Sequence, residues 1–170
     1  NLEKPVIAAV DGAAYGGGFG LALGADFILL SERARLCSVF SRIGLIPDVS
    51  VIFTLPRMVG LQRAKEIAMT GRPVYAEEAK QIGIAMEVYP VETLYKEADK
   101  LAQRLALSST KAQGMTKRAM NQSFTLDATA AVEVEALMQS VLFQSDYHKD
   151  AINRFVNKQP LKFNWEDMAD

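Results

Sequence analysis

Cysteine is almost missing from this chain: Cys37 is the only one in 170 residues. A single thiol cannot build an internal disulfide framework, which suits a reducing compartment, and its plain role is that of a small buried hydrophobe. Histidine is as scarce. The one example, His148, lies in Ser145-Asp146-Tyr147-His148-Lys149 and reads as a solvated residue near a helix start, not a general base. No excess of positive charge is present either. Nineteen Lys and Arg against twenty Asp and Glu leave a formal charge of −1, where a nucleic-acid-binding domain would be basic. No run reaches the ~18 uninterrupted apolar residues of a membrane span, and no secretory signal is visible. The expected setting is cytoplasmic, with a mitochondrial or peroxisomal address left open for any sequence ahead of Asn1. No metal site, cofactor, nucleic-acid partner or membrane partner is expected.

What is present is an apolar chain, 49% hydrophobic, with enough residues to bury a core. Pro5-Val6-Ile7-Ala8-Ala9-Val10 reads as a buried strand, and Gly20-Leu21-Ala22-Leu23-Gly24-Ala25 as a helix packed through small residues. Between them stands Gly16-Gly17-Gly18. Glycines at such a junction let a ligand come close to the backbone and leave helix N-terminal N–H groups free for an anion or a developing oxyanion. The plainer alternative is that they only permit tight helix–strand packing. A phosphate loop is a poor fit, because residues 12 to 20 read Gly-Ala-Ala-Tyr-Gly-Gly-Gly-Phe-Gly and match neither glycine-rich phosphate signature.

Farther along, Asp26-Phe27-Ile28-Leu29-Leu30 is a second buried strand, and Ile84-Ala85-Met86-Glu87-Val88-Tyr89 a short one between Gly83 and Pro90. From Leu61 onward the chain reads as mostly helical. Leu94, Ala98, Leu101 and Leu105 follow helical spacing, as do Val134, Leu137, Met138, Val141 and Leu142. No repeat, low-complexity stretch or linker interrupts it. Lys111, Lys117 and Arg118 read as a solvated helix face. The formal glycosylation sequon Asn121-Gln122-Ser123 falls in a helical stretch and carries no weight.

The stretch from Lys4 to Gly18 closely resembles the signature of the crotonase (enoyl-CoA hydratase/isomerase) superfamily. The similarity continues through Ile43-Gly44-Leu45-Ile46-Pro47-Asp48, Leu55-Pro56-Arg57-Met58-Val59-Gly60-Leu61-Gln62-Arg63-Ala64, Thr70-Gly71-Arg72, Ala76-Glu77-Glu78-Ala79 and the tail from Phe155 to Phe163. It implies an α/β fold: the later part of a ββα spiral core over residues 1–92, then a helical trimerisation region over 93–170. The expected assembly is a homotrimer or a hexamer. Because a strand opens almost at Asn1, the chain is expected to be the C-terminal portion of a longer protein. The preceding part would hold further turns of the spiral, a second oxyanion N–H and much of the CoA surface, so residues 1–170 alone are expected to be inactive.

The same resemblance implies chemistry on an acyl-CoA, a substrate needing no separate cofactor. Its thioester carbonyl would sit between two backbone N–H groups, one of them that of Gly17, with Gly16, Gly18, Tyr15, Gly20, Phe40 and Phe53 around the acyl group. The two glutamates that activate water in similar hydratases fall here at Gly20 and Phe40, neither ionisable, so hydration is not expected. The remaining acid is Asp48, at the position of the single carboxylate of similar enoyl-CoA isomerases. Flanked by Ile46-Pro47 and Val49-Ser50-Val51, it is expected to be partly desolvated and so a stronger base for a 1,3-proton shift. Its plainer reading is a helix N-cap. It also matches the nucleophile of similar acyl-CoA dehalogenases, although Phe40 stands where those have tryptophan. A third possibility is a catalytically silent acyl-CoA-binding subunit. Phe155, Lys158 and Phe163 are expected to meet the CoA nucleotide, or else to belong to a capping helix with an exposed lysine.

Overall fold

The computed structural model describes residues 2–166. The described residues divide into two compact units: Val6–Lys100, and a second made of residues 2–5 together with residues 101–166.

In the first unit the two apolar runs pair as parallel strands. β1 (Ile7–Val10) lies beside β3 (Phe27–Ser31), with Ile7 opposite Phe27 and Val10 opposite Leu30. β1 begins later than the apolar run, because the backbone of Val6 is engaged with Asp26: its N–H donates to Asp26 Oδ2 at 2.8 Å and its carbonyl accepts from the Asp26 N–H at 2.9 Å. β6 (Glu87–Tyr89) pairs in parallel on the far side of β3. Ile28, Leu29 and Leu30 are buried on both faces of this central strand, which is why it reads as an unbroken apolar run.

Two residues after β1, the chain enters β2 (Ala13–Tyr15), which belongs to a second sheet. β2 pairs in parallel with β4 (Arg35–Cys37), and β4 pairs antiparallel with β5 (Pro73–Tyr75). The order strand, corner, strand, helix thus occurs twice in succession and builds two turns of a ββα spiral. The corners are tied together by Arg33, which donates to the Asp11 carbonyl at 2.8 Å and to its carboxylate at 2.5 Å.

Helix α1 (Gly17–Leu23) drives Phe19, Ala22 and Leu23 into the core. α2 (Val51–Val59) adds Val51 and Leu55, and α3 (Leu61–Thr70) adds Ala64 and Ile67. α4 (Ala76–Gln81) contributes Ala76 and Ala79. α5 (Leu94–Ala106) follows its predicted stripe, burying Leu94 and Leu101 and half-burying Ala98 and Leu105.

The second unit is helical: α6 (Thr110–Gln122), α7 (Ala128–Phe143) and α8 (Asp146–Val156). Each starts at a side-chain cap. Ser109, Asp127 and Ser145 accept from the N–H groups of Ala112, Ala130 and His148 at 3.2, 2.9 and 3.2 Å. The stripe predicted on α7 keeps its spacing, but none of its residues is buried, and Leu137 stays 69% exposed. His148 does lie in the first turn of α8, yet its ring packs edge-on against Phe143 with centroids 5.1 Å apart, so it is half-buried rather than solvated. On the basic face of α6 Lys111 is exposed as expected, while Lys117 and Arg118 also meet the start of the chain. Lys117 Nζ donates to the Lys4 carbonyl at 3.2 Å and Arg118 pairs with Glu3 at 3.3 Å. Gly114 makes this possible, since a Cβ there would lie 2.7 Å from the Glu3 carbonyl oxygen.

Candidate active site

The glycine triplet opens α1 as the sequence suggests. Gly16, at φ 56°, is its N-cap, a left-handed conformation that glycine adopts without penalty. Its N–H donates to the Cys37 carbonyl at 2.9 Å, and its own carbonyl accepts from Phe19 and Gly20 at 3.0 and 3.2 Å. The N–H groups of Gly17 and Gly18 have no acceptor among the described residues, so the positive end of a helix is left open there. A Cβ on Gly18 would meet nothing within 4 Å.

Phe40, on the 3-10 turn Val39–Ile43, is 8% exposed and reaches the same place. A Cβ on Gly16 would lie 3.8 Å from its ring. The turn is held from below by Arg42, whose Nε and Nη2 donate to the Gly71 carbonyl at 3.0 and 2.6 Å. Cys37 Sγ donates to that same oxygen at 3.1 Å. Burial pushes the Cys37 thiol up, with Arg42 opposing, so this sulfur stays protonated and serves as packing.

The segment carrying Asp48 is brought onto α1 by its neighbour Val49. A Cβ on Gly17 would lie 3.5 Å from Val49 Cγ2. One on Gly20 would lie 2.5 Å from the Val49 carbonyl oxygen and 2.7 Å from its Cβ. Glycine at 20 is therefore a steric requirement of this loop, and no longer side chain fits while the loop keeps its course.

Asp48 itself is exposed, as are Ile46 and Val49 on either side. The desolvation expected from its apolar neighbours is absent because those side chains do not shield it. Asp48 is also not a helix cap. Ser50 occupies that position, at φ 62° and without a side-chain cap bond, and only the Asp48 carbonyl is used, accepting from the Val51 N–H at 3.0 Å. Val49 and Ser50 both adopt left-handed backbone, φ 47° and 62°. Sequence reasoning missed Val49, and propensity gives no signal for it, since a β-branched residue is among the least suited to that conformation.

Tyr15 ends β2 with its side chain partly exposed, and Phe53, on the outer face of α2, is covered by the Arg57 guanidinium 3.6 Å from its ring centre. Phe155, Lys158 and Phe163 belong to the helical unit. Phe155 is 73% exposed, Lys158 follows α8 at φ 53° with its N–H bonded to the Phe155 carbonyl at 3.1 Å, and Phe163 stands 6.4 Å from the Trp165 ring. Among the described residues no group of three or more His, Cys, Asp or Glu could hold a metal ion, and no helix is long and apolar enough to cross a membrane.

Comparison with known proteins gives concordant matches. The family model described as enoyl-CoA hydratase/isomerase matches residues 1–168. The 1,2-epoxyphenylacetyl-CoA isomerase of Escherichia coli K12 is 35% identical over 163 residues, 96% of this chain and 62% of that protein. The mitochondrial enoyl-CoA hydratase of Pongo abelii is also 35% identical over 163 residues, 96% of this chain and 56% of that one. A crystal structure of an enoyl-CoA hydratase/isomerase from Cupriavidus metallidurans CH34 superposes with a TM-score of 0.94 at 43% identity, covering 96% of this chain and 62% of the other. The chain thus spans about three-fifths of the length of the proteins it matches.

Proposed function

Since the chain belongs to the enoyl-CoA hydratase/isomerase family and shares its fold, we propose that the protein is an acyl-CoA-binding enzyme that moves a double bond within an enoyl-CoA thioester. The reaction is a 1,3-proton shift. The thioester carbonyl sits at the Gly17 N–H, and the Asp48 carboxylate removes a proton from C2 of a 3-enoyl thioester. The electron pair left behind spreads into a dienolate whose oxygen takes up charge against that N–H, and Asp48 returns the same proton at C4. A backbone donor in this role is worth about 2.7–4 kcal/mol of transition-state stabilisation.

What carries the reading is the contrast between positions 20 and 48. A hydratase-type glutamate has no room at Gly20, where Val49 occupies the space. Phe40 leaves no acid on the adjoining turn, so Asp48 is the carboxylate on the loop over α1. One acid shuttling one proton meets the needs of an isomerase, whereas adding water calls for a second group to hold it. Asp48 is exposed in the free chain, so the bound acyl thioester must cover it and strip it of water for the step to run.

Phe155, Lys158 and Phe163 are assigned to the nucleotide end of CoA, lysine against phosphate and an aromatic ring against adenine. The exposed apolar residues of α7, among them Leu137, Val141 and Phe143, suit the interface of a homotrimer or a dimer of trimers. Light scattering that returns a monomer would refute that assembly.

The test follows conversion of a 3-enoyl-CoA to the conjugated 2-enoyl-CoA by the whole protein. Asp48→Asn is expected to lower kcat by ~10²–10⁴-fold, the contribution of a general base. Unchanged turnover in that variant would refute the role of Asp48. Binding of CoA thioesters without turnover by the wild type would point to a silent subunit, and halide release from a halogenated acyl-CoA to a nucleophilic Asp48.

A further inference from the structure

We propose that Val49 determines which acyl groups this site accepts, admitting slender unbranched chains and rejecting acyl groups that carry a ring or branch close to the thioester. The inference rests on the reading that the thioester sits at Gly17.

Three observations carry it. Val49 holds a left-handed backbone, φ 47°, and so does Ser50 after it. That conformation is sterically costly for any side chain and most of all for a β-branched one. Local energetics would favour glycine at 49, so the valine answers to something other than the turn, and strain of this kind gathers at functional sites. Nor does the core explain it, because Val49 remains 43% exposed and is not among the buried residues that form the core.

What the side chain does is occupy space over α1. Its Cγ2 stands 3.5 Å from the Cβ position of Gly17, and its Cβ and Cγ1 stand 2.7 and 3.0 Å from that of Gly20. Any carbonyl held at the Gly17 N–H therefore has the valine methyl groups as one wall. Two methyl groups at that point limit the width available to the first carbons of the acyl chain, and they offer no partner to a water molecule. The absence of a side chain at Gly20 and the presence of one at Val49 are thus two sides of one contact.

The test compares wild type with Val49→Ala and Val49→Gly in the whole protein, over straight-chain enoyl-CoAs and enoyl-CoAs branched or ring-bearing near the thioester. Val49→Ala is expected to raise the kcat/KM ratio of bulky to slender substrates by ~10-fold or more, as a change of one or two methyl-sized groups in an apolar pocket does. Val49→Gly relieves the left-handed backbone and should fold, which a thermal melt verifies. Calorimetric binding of saturated straight and branched acyl-CoAs reads the same preference without turnover. A shifted binding preference in a protein without isomerase activity would sustain the inference while the proposed reaction fails. Intact isomerisation with an unchanged ratio would overturn the inference alone, and no binding of any acyl-CoA would overturn both.

Discussion

Replacing Gly71 by alanine should destabilise the protein through one identifiable contact. Gly71 terminates α3 at φ +59°, and a Cβ there would lie 2.6 Å from Ser41 Oγ and 3.3 Å from the Ser38 carbonyl oxygen. The left-handed backbone costs a non-glycine residue about 1–2 kcal/mol. Forcing an atom into the contact adds about 1–3 kcal/mol, and the stiffer unfolded chain returns about 0.4–1 kcal/mol. The net loss is about 1–5 kcal/mol, or roughly 2–20 °C in Tm for a chain of this size. The steric part can be separated from the backbone part. In a Ser41→Ala background the colliding oxygen is gone, so Gly71→Ala should then cost only the backbone part, with a coupling of about 1–2 kcal/mol between the two sites. Urea unfolding of the four proteins measures it. Equal losses in both backgrounds, or a single-mutant loss under about 0.5 kcal/mol, would refute the argument. Because the Gly71 carbonyl also anchors Arg42 beneath the turn that carries Phe40, Gly71→Ala should lower turnover as well.

Three further outcomes are expected. Ser50→Gly removes a left-handed residue whose side chain caps nothing, so it should raise stability by about 0.5–1 kcal/mol in urea titrations; a loss would show that the loop needs the hydroxyl. Asp127→Ala deletes the cap of α7 and should cost about 1 kcal/mol, while Asp127→Asn should cost little. Acid should weaken the fold through Glu66 and Glu87. The bonds from Arg72 and from Lys80 hold these carboxyls below their ordinary value of 4.5 in the folded state. The unfolded chain then takes up their protons first, so this stabilisation is present above about pH 4.5 and is lost as pH falls through the folded values. The urea midpoint should drop below about pH 4.5, and less steeply in Glu66→Gln; identical slopes would contradict the Glu66–Arg72 contribution.

How far the sequence spoke for itself depended on whether the deciding interaction was local. β1 and β3 were legible because a strand buried on both faces writes a continuous apolar run, and the glycine triplet marked the start of α1. β2, β4 and β5 are three residues each, too short to carry a period, and they exist because distant segments pair. α7 shows the limit of periodicity. Its spacing is helical and its helix is real, but a stripe says only that a face is apolar, not that this chain covers it. At the site, Gly16, Gly17, Gly18, Gly20 and Phe40 come together. The exposure of Asp48 depends on where Ile46 and Val49 point, which composition around it cannot tell. Val49 was invisible because its conformation runs against its own propensity. Of the basic residues of α6, Lys111 and Arg118 are exposed as their sequence suggests, and Lys117 alone is half-buried, because Gly114 lets the backbone at Glu3 and Lys4 approach it.

The two-residue corner between β1 and β2 has a consequence for how chains of this kind can vary in length. In β2 only Ala14 is buried, between exposed Ala13 and Tyr15. One residue inserted between Val10 and Ala13 would shift that alternation by one place and turn the bulky Tyr15 or the outward Ala13 toward the core. It would also pull Asp11 out of line with Arg33, which clamps the matching corner of the next turn. Corners therefore behave as fixed gears, each setting the phase of the strand that follows and of the neighbouring turn. Insertions and deletions should accumulate instead in connections that join helices and set no strand phase, such as residues 123–127 between α6 and α7.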